Sequence, residues 1–167
     1  YEQYALRSFF EKVFEGKLSA QELYEEAGKQ GLDINASGYN LILLGVLEDE
    51  SREELMRYFL RFPECTVFRW NMNTHGILLM GDADALQERT GTHMDYIHKV
   101  CEQSQDEEWY VAAGTPVERF SQLSDCYRKV NHIYAYRYLM PEKHVLTEEL
   151  MSSDAGRDNA GSFGGLD

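Results

Sequence analysis

The stretch from Glu64 to Gly81 constrains the fold most, because it has the pattern of two strands joined by a polar turn in the middle of the chain. The half-alternating run from Cys65 to Trp70 is typical of a partly exposed strand, and the apolar run from Ile77 to Met80 is typical of a buried one. The residues between them include Asn and Gly, which tolerate positive φ in a hairpin connection. We therefore predict a β-hairpin with a turn made of Asn71, Met72, Asn73, Thr74, His75 and Gly76.

Two helices and one strand are predicted before this hairpin. Residues 1–14 carry apolar side chains at helical spacing, and residues 19–22 have the spacing of a capping box that opens a second helix. Together the two helices would form a helical hairpin. The run from Tyr39 to Leu47 is too apolar for an exposed strand, so we expect it at the centre of a sheet.

The order of the remaining elements predicts the fold class. Capping signals place helix starts near Ser51, Asp82 and Thr115, and residues 109–113 have the pattern of a strand. The order β-α-β-β-α-β-α predicts an α+β fold with a ferredoxin-like antiparallel sheet and helices on one face, preceded by the helical hairpin. We expect a helical connector at 1–31, a main domain at 32–146 and a flexible tail or linker at 147–167, which is poor in apolar residues.

Composition disfavours several classes of function. The chain has 16 Lys+Arg against 29 Asp+Glu, and its net charge of -13 repels phosphate backbones and anionic lipids, so we expect no direct nucleic-acid or membrane binding. It lacks both a long apolar run and a signal pattern, which predicts a cytoplasmic location. Because it begins at Tyr1 in a helical pattern, we expect a fragment of a longer protein. Buried thiols are favoured over a disulfide framework or a metal knuckle for the three widely spaced cysteines, Cys65, Cys101 and Cys126.

The apolar first strand, the strand-turn-strand and the sequence Ala-Ala-Gly-Thr-Pro at 112–116, followed by Cys126, Tyr127 and a Tyr-rich helix, resemble the degenerate GGDEF-like domain of response regulators. The resemblance covers roughly residues 9–146 and implies a nucleotide-cyclase-like sheet at 32–146. One departure is Val130, where the pattern of the family has a small residue.

The resemblance also implies a role. In these two-component regulators the domain lies between a phosphoacceptor receiver and an AraC-type helix-turn-helix pair. It therefore implies a non-catalytic signalling and dimerisation module of a cytoplasmic regulator of transcription. The flanking receiver and helix-turn-helix domains would be its partners, and the latter would carry DNA binding outside this chain.

The predicted turn argues against catalysis. The resemblance implies that an active cyclase would carry an acidic signature in this turn and a metal-binding Asp at the end of the first strand. The turn has no carboxylate, and Gly45 and Val46 lie at the strand end. Carboxylates are needed to hold the divalent ions that neutralise nucleotide phosphates. We therefore predict no enzyme activity, no catalytic residue, no metal site and no cofactor, and the alternative is a diverged nucleotide-binding or cyclase-like enzyme domain.

Two sets of side chains are weighed as binding residues. The histidines lack a shared metal spacing, and His93 and His98 fall on different faces of one helix, which favours ordinary surface or core positions. The eleven tyrosines are more typical of packing than of a sugar-binding platform. The aromatic residues that we consider for a small-ligand pocket are Trp70, Tyr110, Tyr134 and Tyr136.

The first predicted helix carries an apolar stripe formed by Phe9, Phe10, Val13 and Phe14. Burying each such side chain is worth roughly 1.5–3 kcal/mol, so leaving the stripe in water would be costly. One prediction is that the stripe mediates self-association into a homodimer and carries a signal from an upstream receiver. The alternative is that it folds back onto the chain's own sheet or second helix, and the sequence leaves both open.

Overall fold

A computed structural model of the protein describes residues 2–149, with side chains from Tyr4 onward. Tyr1 and residues 150–167, which make up most of the predicted tail, lie outside the described residues. In residues 2–149, no helix is both long enough and apolar enough to cross a membrane. The elements are α1 (Glu2–Glu15), α2 (Ala20–Lys29), β1 (Gly38–Val46), α3 (Asp49–Leu60), β2 (Cys65–Asn71), β3 (Thr74–Gly81), α4 (Ala83–Glu102), β4 (Trp109–Ala113), α5 (Leu123–Ala135) and β5 (Val145–Leu146), with 3-10 turns at Phe120–Gln122 and Tyr136–Tyr138.

The five strands form one mixed sheet in the order β2-β3-β1-β4-β5. β1 pairs antiparallel with β3 and β4, β2 pairs antiparallel with β3, and the short β5 runs parallel to β4. The α+β class is confirmed, and β1 is buried along its whole length at the centre, as its apolar run predicts. The sheet has one strand more than predicted, because the backbone N–H of Val111 in β4 donates to the carbonyl of His144 at 2.9 Å and brings the following residues alongside.

Helices cover both faces of the sheet. Successive side chains of a strand point to opposite faces, so Leu41 and Leu43 belong to one core and Ile42 and Leu44 to the other. The first core also holds side chains of α1, α2 and α5, and the second holds side chains of α3 and α4. The expectation of helices on one face is therefore wrong, because β1 is apolar on both sides and needs cover on both.

The stripe of α1 belongs to the first core. The ring of Phe10 stacks on that of Phe68 in β2 with 4.0 Å between centroids, and Phe14 stacks on Tyr127 in α5 at 4.3 Å. The stripe therefore folds back onto the chain's own sheet, and in this arrangement a second copy would need another surface. The side chains of the stripe, each 6% exposed or less, are Phe9, Phe10, Val13 and Phe14.

The hairpin is confirmed, but its turn is shorter than the predicted 71–76. β2 ends at Asn71 and β3 begins at Thr74, so only Met72 and Asn73 connect the strands. The side-chain oxygen of Asn71 accepts a hydrogen bond from the backbone N–H of Asn73 at 3.1 Å, which stabilises the tight turn. His75 and Gly76 therefore lie within β3.

Gly76 serves packing rather than the turn. It lies opposite Phe68 in the β2–β3 pair, and a Cβ atom built on it would lie 2.2 Å from the Phe68 ring. Its φ is not positive, and in residues 2–149 only Gly16 and Gly31 have a positive φ. The missing side chain leaves the space that the Phe68 ring fills beneath α1.

The helix predicted from Thr115 begins at Leu123 instead. Val117 pairs with Tyr39 through two backbone hydrogen bonds of 2.8 Å, which hold this segment extended beside β1. These bonds satisfy the backbone groups that a helix start would have used, and the local Thr-Pro signal is overridden. The other starts agree better: α3 begins at Asp49, and Asp82 caps α4 by accepting from the N–H of Asp84 at 3.0 Å.

Candidate ligand-binding cleft

A cleft of about 490 Å³ opens where β1 ends and the β2–β3 turn lies. Its volume is within the range of small-molecule sites, roughly 300–1,000 Å³. Its walls are the end of β1, the β2–β3 turn, the start of β4 and the chain that follows α5. The lining residues are Gly45, Leu47, Asn71, Asn73, Thr74, Glu108, Tyr110, Tyr134, Arg137, Tyr138 and Pro141.

Tyr134, near the end of α5, forms the base of the cleft. Its side chain is buried, and its hydroxyl lies 3.0 Å from the Thr74 hydroxyl at the start of β3. Gly45 in β1 makes this position possible, because a Cβ atom there would lie 2.2 Å from the Tyr134 hydroxyl. Burial raises the pKa of Tyr134, so the hydroxyl is protonated at neutral pH.

Arg137 is the only cation among the lining residues of the described chain. Its guanidinium carbon lies 3.9 Å from the centroid of the Tyr134 ring and 4.2 Å from that of Tyr138. It donates to the Tyr134 carbonyl at 2.9 Å and to the Tyr138 hydroxyl at 2.7 Å. Two rings and two hydrogen bonds thus orient the guanidinium, while Tyr138, 75% exposed, presents an aromatic surface to solvent.

The opposite wall comes from the start of β4. Tyr110 pairs with Gly45 in the β1–β4 register, and its hydroxyl donates to the Pro141 carbonyl at 2.9 Å. Glu108, just before the strand, is exposed and supplies the only carboxylate among the lining residues that the structure describes. The wall therefore combines an aromatic ring with one negative charge.

The described lining offers few groups for acid–base chemistry or for binding divalent cations. The Thr74 hydroxyl is bonded to a protonated tyrosine, and the described lining contains no His, Cys or second carboxylate to act as a base. One carboxylate does not provide the set of hard oxygen ligands that Mg²⁺ requires. The donor set therefore does not fit a two-metal nucleotide site, but it offers amides, hydroxyls, rings and one guanidinium to a small ligand.

Some of the predicted residues meet in this cleft. Asn71, Asn73 and Thr74 from the predicted turn line it, together with Tyr110 and Tyr134 from the predicted aromatic set. The structure thus joins two separate predictions in one place, because the hairpin turn and the end of α5 lie against the same end of β1.

Other predicted residues lie elsewhere. The indole N–H of Trp70 donates to the Tyr127 hydroxyl at 3.2 Å, and the Trp70 ring packs edge-on against Phe14 on the α1 side of the sheet. Tyr136 lies beside the ring of His132, with 5.6 Å between centroids. Trp70 and Tyr136 are therefore not lining residues of the cleft.

The remaining turn residues also lie outside the lining. Met72 is exposed at the tip of the hairpin, and His75 is half-buried in β3. The pKa of His75 is lowered by burial and by the nearby Arg69 and Arg52 guanidinium groups.

Sequence reasoning missed Glu108, Arg137 and Tyr138. Arg137 and Tyr138 follow α5 in a 3-10 turn. A signal was available in the Tyr-x-Tyr-Arg-Tyr run at 134–138, because aromatic and Arg side chains so concentrated at a helix end favour cation–π packing.

A second group of residues was also missed. Glu64, Cys65 and His93 meet at the start of β2, with one potential ligand atom of each within 4.8 Å of the others. Cys65 and His93 are 28 positions apart in sequence, so no local motif contains this group.

No protein-family model matches the chain, and neither does any curated protein or solved structure. We therefore infer function from the geometry and chemistry of the cleft.

Proposed function

We propose that this chain is a non-catalytic signalling module in which the cleft beside the hairpin turn binds a small ligand. The observation that carries the proposal is the composition of the cleft at the turn. Asn71, Asn73 and Thr74 present neutral groups there, and Glu108 is the lone carboxylate among the described lining residues. Gly45 lies one residue before the end of β1, the strand that would supply an acidic metal ligand. Such a lining favours recognition over phosphate chemistry.

The proposal includes a degenerate GGDEF-like, ferredoxin-like domain of a cytoplasmic response regulator of the AraC type. Supporting it, β2, β3, β1 and β4 are neighbours in that order and every adjacent pair among them is antiparallel. The helices α1 and α2 would represent the N-terminal helical hairpin. In this proposal a receiver domain delivers the signal and a helix-turn-helix domain binds DNA, consistent with the net charge of -13 on this chain.

Dimerisation belongs to the same proposal. Because the stripe of α1 is packed inside the molecule, a homodimer would form through other surfaces. Sedimentation of the purified chain at several concentrations tests this part directly, and a concentration-independent monomer mass would contradict it.

A diverged nucleotide-binding domain is the second candidate. Arg137 lies between two tyrosine rings, and the exposed ring of Tyr138 offers a face on which a base would stack. The guanidinium is already oriented and would pair with a phosphate group. These features favour binding of a nucleotide without requiring its conversion.

Incubation with GTP and Mg²⁺ separates the two candidates. For the non-catalytic signalling module we expect no cyclic dinucleotide, no thermal stabilisation by GTP and no sub-millimolar Mg²⁺ binding by calorimetry. Formation of product would refute it and establish a diverged enzyme. Mg²⁺ binding that Asn73→Ala abolishes would refute the predicted absence of a metal site.

Stabilisation by GTP without product would instead favour the nucleotide-binding domain. In that case Arg137→Ala should remove the stabilisation, because it deletes the only cation of the described lining. The matched control is Arg128→Ala. Arg128 is an exposed arginine of α5 that pairs with Asp125, and its loss should leave the effect of GTP unchanged.

A further inference from the structure

The group formed by Glu64, Cys65 and His93 lies far from the cleft. Glu64 ends the loop after α3, Cys65 begins β2, and His93 lies in the middle of α4. Three separate elements thus bring a carboxylate, a thiol and an imidazole together within 4.8 Å. His93 is only 3% exposed, whereas Glu64 and Cys65 are partly exposed, so the group lies under the surface with one accessible side.

The spacing of the soft donors suits a shared metal ion. The Cys65 sulfur lies 3.8 Å from Nε2 of His93. In a tetrahedral zinc site, Zn–S near 2.3 Å and Zn–N near 2.0–2.1 Å place the sulfur and nitrogen about 3.6 Å apart. The two atoms therefore need to shift by only a few tenths of an ångström to hold one ion between them.

The other ring nitrogen of His93 already has a partner. Nδ1 lies 2.8 Å from the Tyr58 hydroxyl, and Tyr58 is itself fixed by stacking on Tyr96 with 3.8 Å between centroids. In the tautomer with the proton on Nδ1, this N–H donates a hydrogen bond to the Tyr58 hydroxyl, and the Nε2 lone pair is free on the side of Cys65. An oriented second partner of this kind is the usual companion of a metal-binding histidine.

We propose that Glu64, Cys65 and His93 bind one Zn²⁺ ion, with water in the fourth position. Zn²⁺ displaces the thiol proton of Cys65 to solvent, so a Zn–S bond forms and one proton is released. The carboxylate and thiolate then carry two negative charges against two positive ones, which leaves the half-buried site neutral. The thiolate ligand selects this type of ion against Mg²⁺ and Ca²⁺, which prefer oxygen.

Two features oppose binding of the ion at this site: the ion pair between Arg89 and Glu64, and the protonated thiol of Cys65. The guanidinium of Arg89 lies 3.8 Å from Glu64 and would have to move aside, which its half-exposed side chain permits. Burial raises the pKa of Cys65 to about 12, so the ion must drive the loss of the thiol proton. Burial lowers the pKa of His93, which keeps its imidazole neutral and able to bind metal.

The test is titration of the reduced, chelator-treated whole chain with Zn²⁺ by calorimetry, and with Co²⁺ as a spectroscopic probe. We expect one ion per chain, one proton released per ion and a thiolate-to-cobalt charge-transfer absorption. Cys65→Ala should remove the absorption and lower the Zn²⁺ affinity by at least a factor of about 100. Tyr58→Phe keeps the ring but loses the hydroxyl, and should lower the affinity by about 10–100-fold.

Two control variants each remove a thiol or an imidazole of α4 that is not part of the proposed site. Cys101→Ala removes a buried thiol that is not part of the group, and His98→Gln removes an exposed imidazole of α4 that faces Glu102 at 3.5 Å. Both should bind Zn²⁺ as the unaltered chain does. Absence of the cobalt absorption in the unaltered chain, or equal Zn²⁺ affinity in Cys65→Ala, would overturn the proposal. Loss of binding in His98→Gln would do the same by moving the ion to the His98–Glu102 pair.

Discussion

Gly45 and Tyr134 show at the scale of single residues how the cleft is maintained. Because Gly45 has no side chain, the hydroxyl of Tyr134 in α5 occupies the space above it and contacts the Thr74 hydroxyl. The base of the cleft is therefore defined by one close contact between strand and helix.

The first prediction concerns Gly45→Ala. The added methyl group would have to displace the Tyr134 hydroxyl, which lies 2.2 Å from the new Cβ, and would break its contact with Thr74. We expect a loss of about 1–3 kcal/mol in the free energy of unfolding, measured by urea denaturation.

Gly91→Ala is the matched control for this substitution. Gly91 lies within α4, and a Cβ atom there has no other atom within 4 Å. Because Ala favours a helix interior over Gly, we expect a gain of roughly 0.5–1 kcal/mol. A loss in both variants, or in neither, would contradict the role given to Gly45.

The second prediction concerns His75 and pH. Its folded-state pKa lies below the ordinary value of about 6.5, because burial and the charges of Arg69 and Arg52 disfavour the imidazolium. Protonation therefore favours the unfolded chain, so the free energy of unfolding should fall as the pH drops from 7.5 through the unfolded-state pKa toward the lower folded-state pKa.

Urea denaturation between pH 7.5 and 5 measures this effect. His75→Gln should reduce the pH dependence of the free energy of unfolding. A pH profile that is identical for His75→Gln and the unaltered chain would contradict the prediction, because it would mean that the pKa of His75 does not change on folding.

Among the elements, α1 is the one whose role was hardest to predict from the sequence. Its stripe was equally compatible with a dimer interface and with an internal core, because helical periodicity shows that a face is apolar but not what covers it. The cover is Phe68, which reaches α1 only because Gly76 lies opposite it on β3. That three-way arrangement joins residues far apart in sequence and has no local signal.

The third prediction concerns Phe10→Ala. The ring is completely buried against Phe68, so its removal should lower the free energy of unfolding by about 3–5 kcal/mol. Tyr4, on the same helix, is 75% exposed, and Tyr4→Ala should change stability by less than about 0.5 kcal/mol. Similar small changes in both would mean that α1 does not dock as described.

A charge at the same position gives a complementary test. Phe10→Glu should lower the thermal stability while the mass measured by sedimentation stays that of the unaltered chain, because the substitution disturbs an internal contact. Conversion of a dimer into a well-folded monomer would instead show that the stripe forms a dimer interface.

Local patterns predicted the element types better than their ends. The capping box at Ser19 and Glu22 and the apolar run of β1 act within a few residues, and both are found as predicted. The helix start at Thr115 failed because Val117 pairs with Tyr39, a contact that no local rule contains. The cleft was half predicted for the same reason, since Asn73 and Tyr134 were named separately and only the sheet brings them together.

At the scale of the molecule, residues 2–149 form two cores separated by one sheet, and α1 belongs to the first of them. Residues 1–31 are predicted to form a helical connector, and within them α1 contacts β2 and α5 through the rings of Phe10 and Phe14. The N-terminal helix thus covers part of one face of the sheet. We therefore expect its docking to be coupled to the stability of the first core.

The fourth prediction follows from that coupling. In hydrogen exchange of the intact chain, the amides in the middle of α1 should be protected by nearly the same free energy as those of α5, since the two helices share one core. Exchange of α1 at the rate of an isolated peptide, with α5 still protected, would contradict this prediction and show that α1 undocks independently of α5.

The burial of β1 on both faces also affects how the chain is made. Its antiparallel partners lie later in the sequence, with Tyr39 opposite Met80 and Ile42 opposite Ala113. During synthesis the apolar strand is therefore complete long before the residues that cover it have emerged. Pairings at such separation slow folding, so β1 is exposed to aggregation in the newborn chain until its partners have emerged.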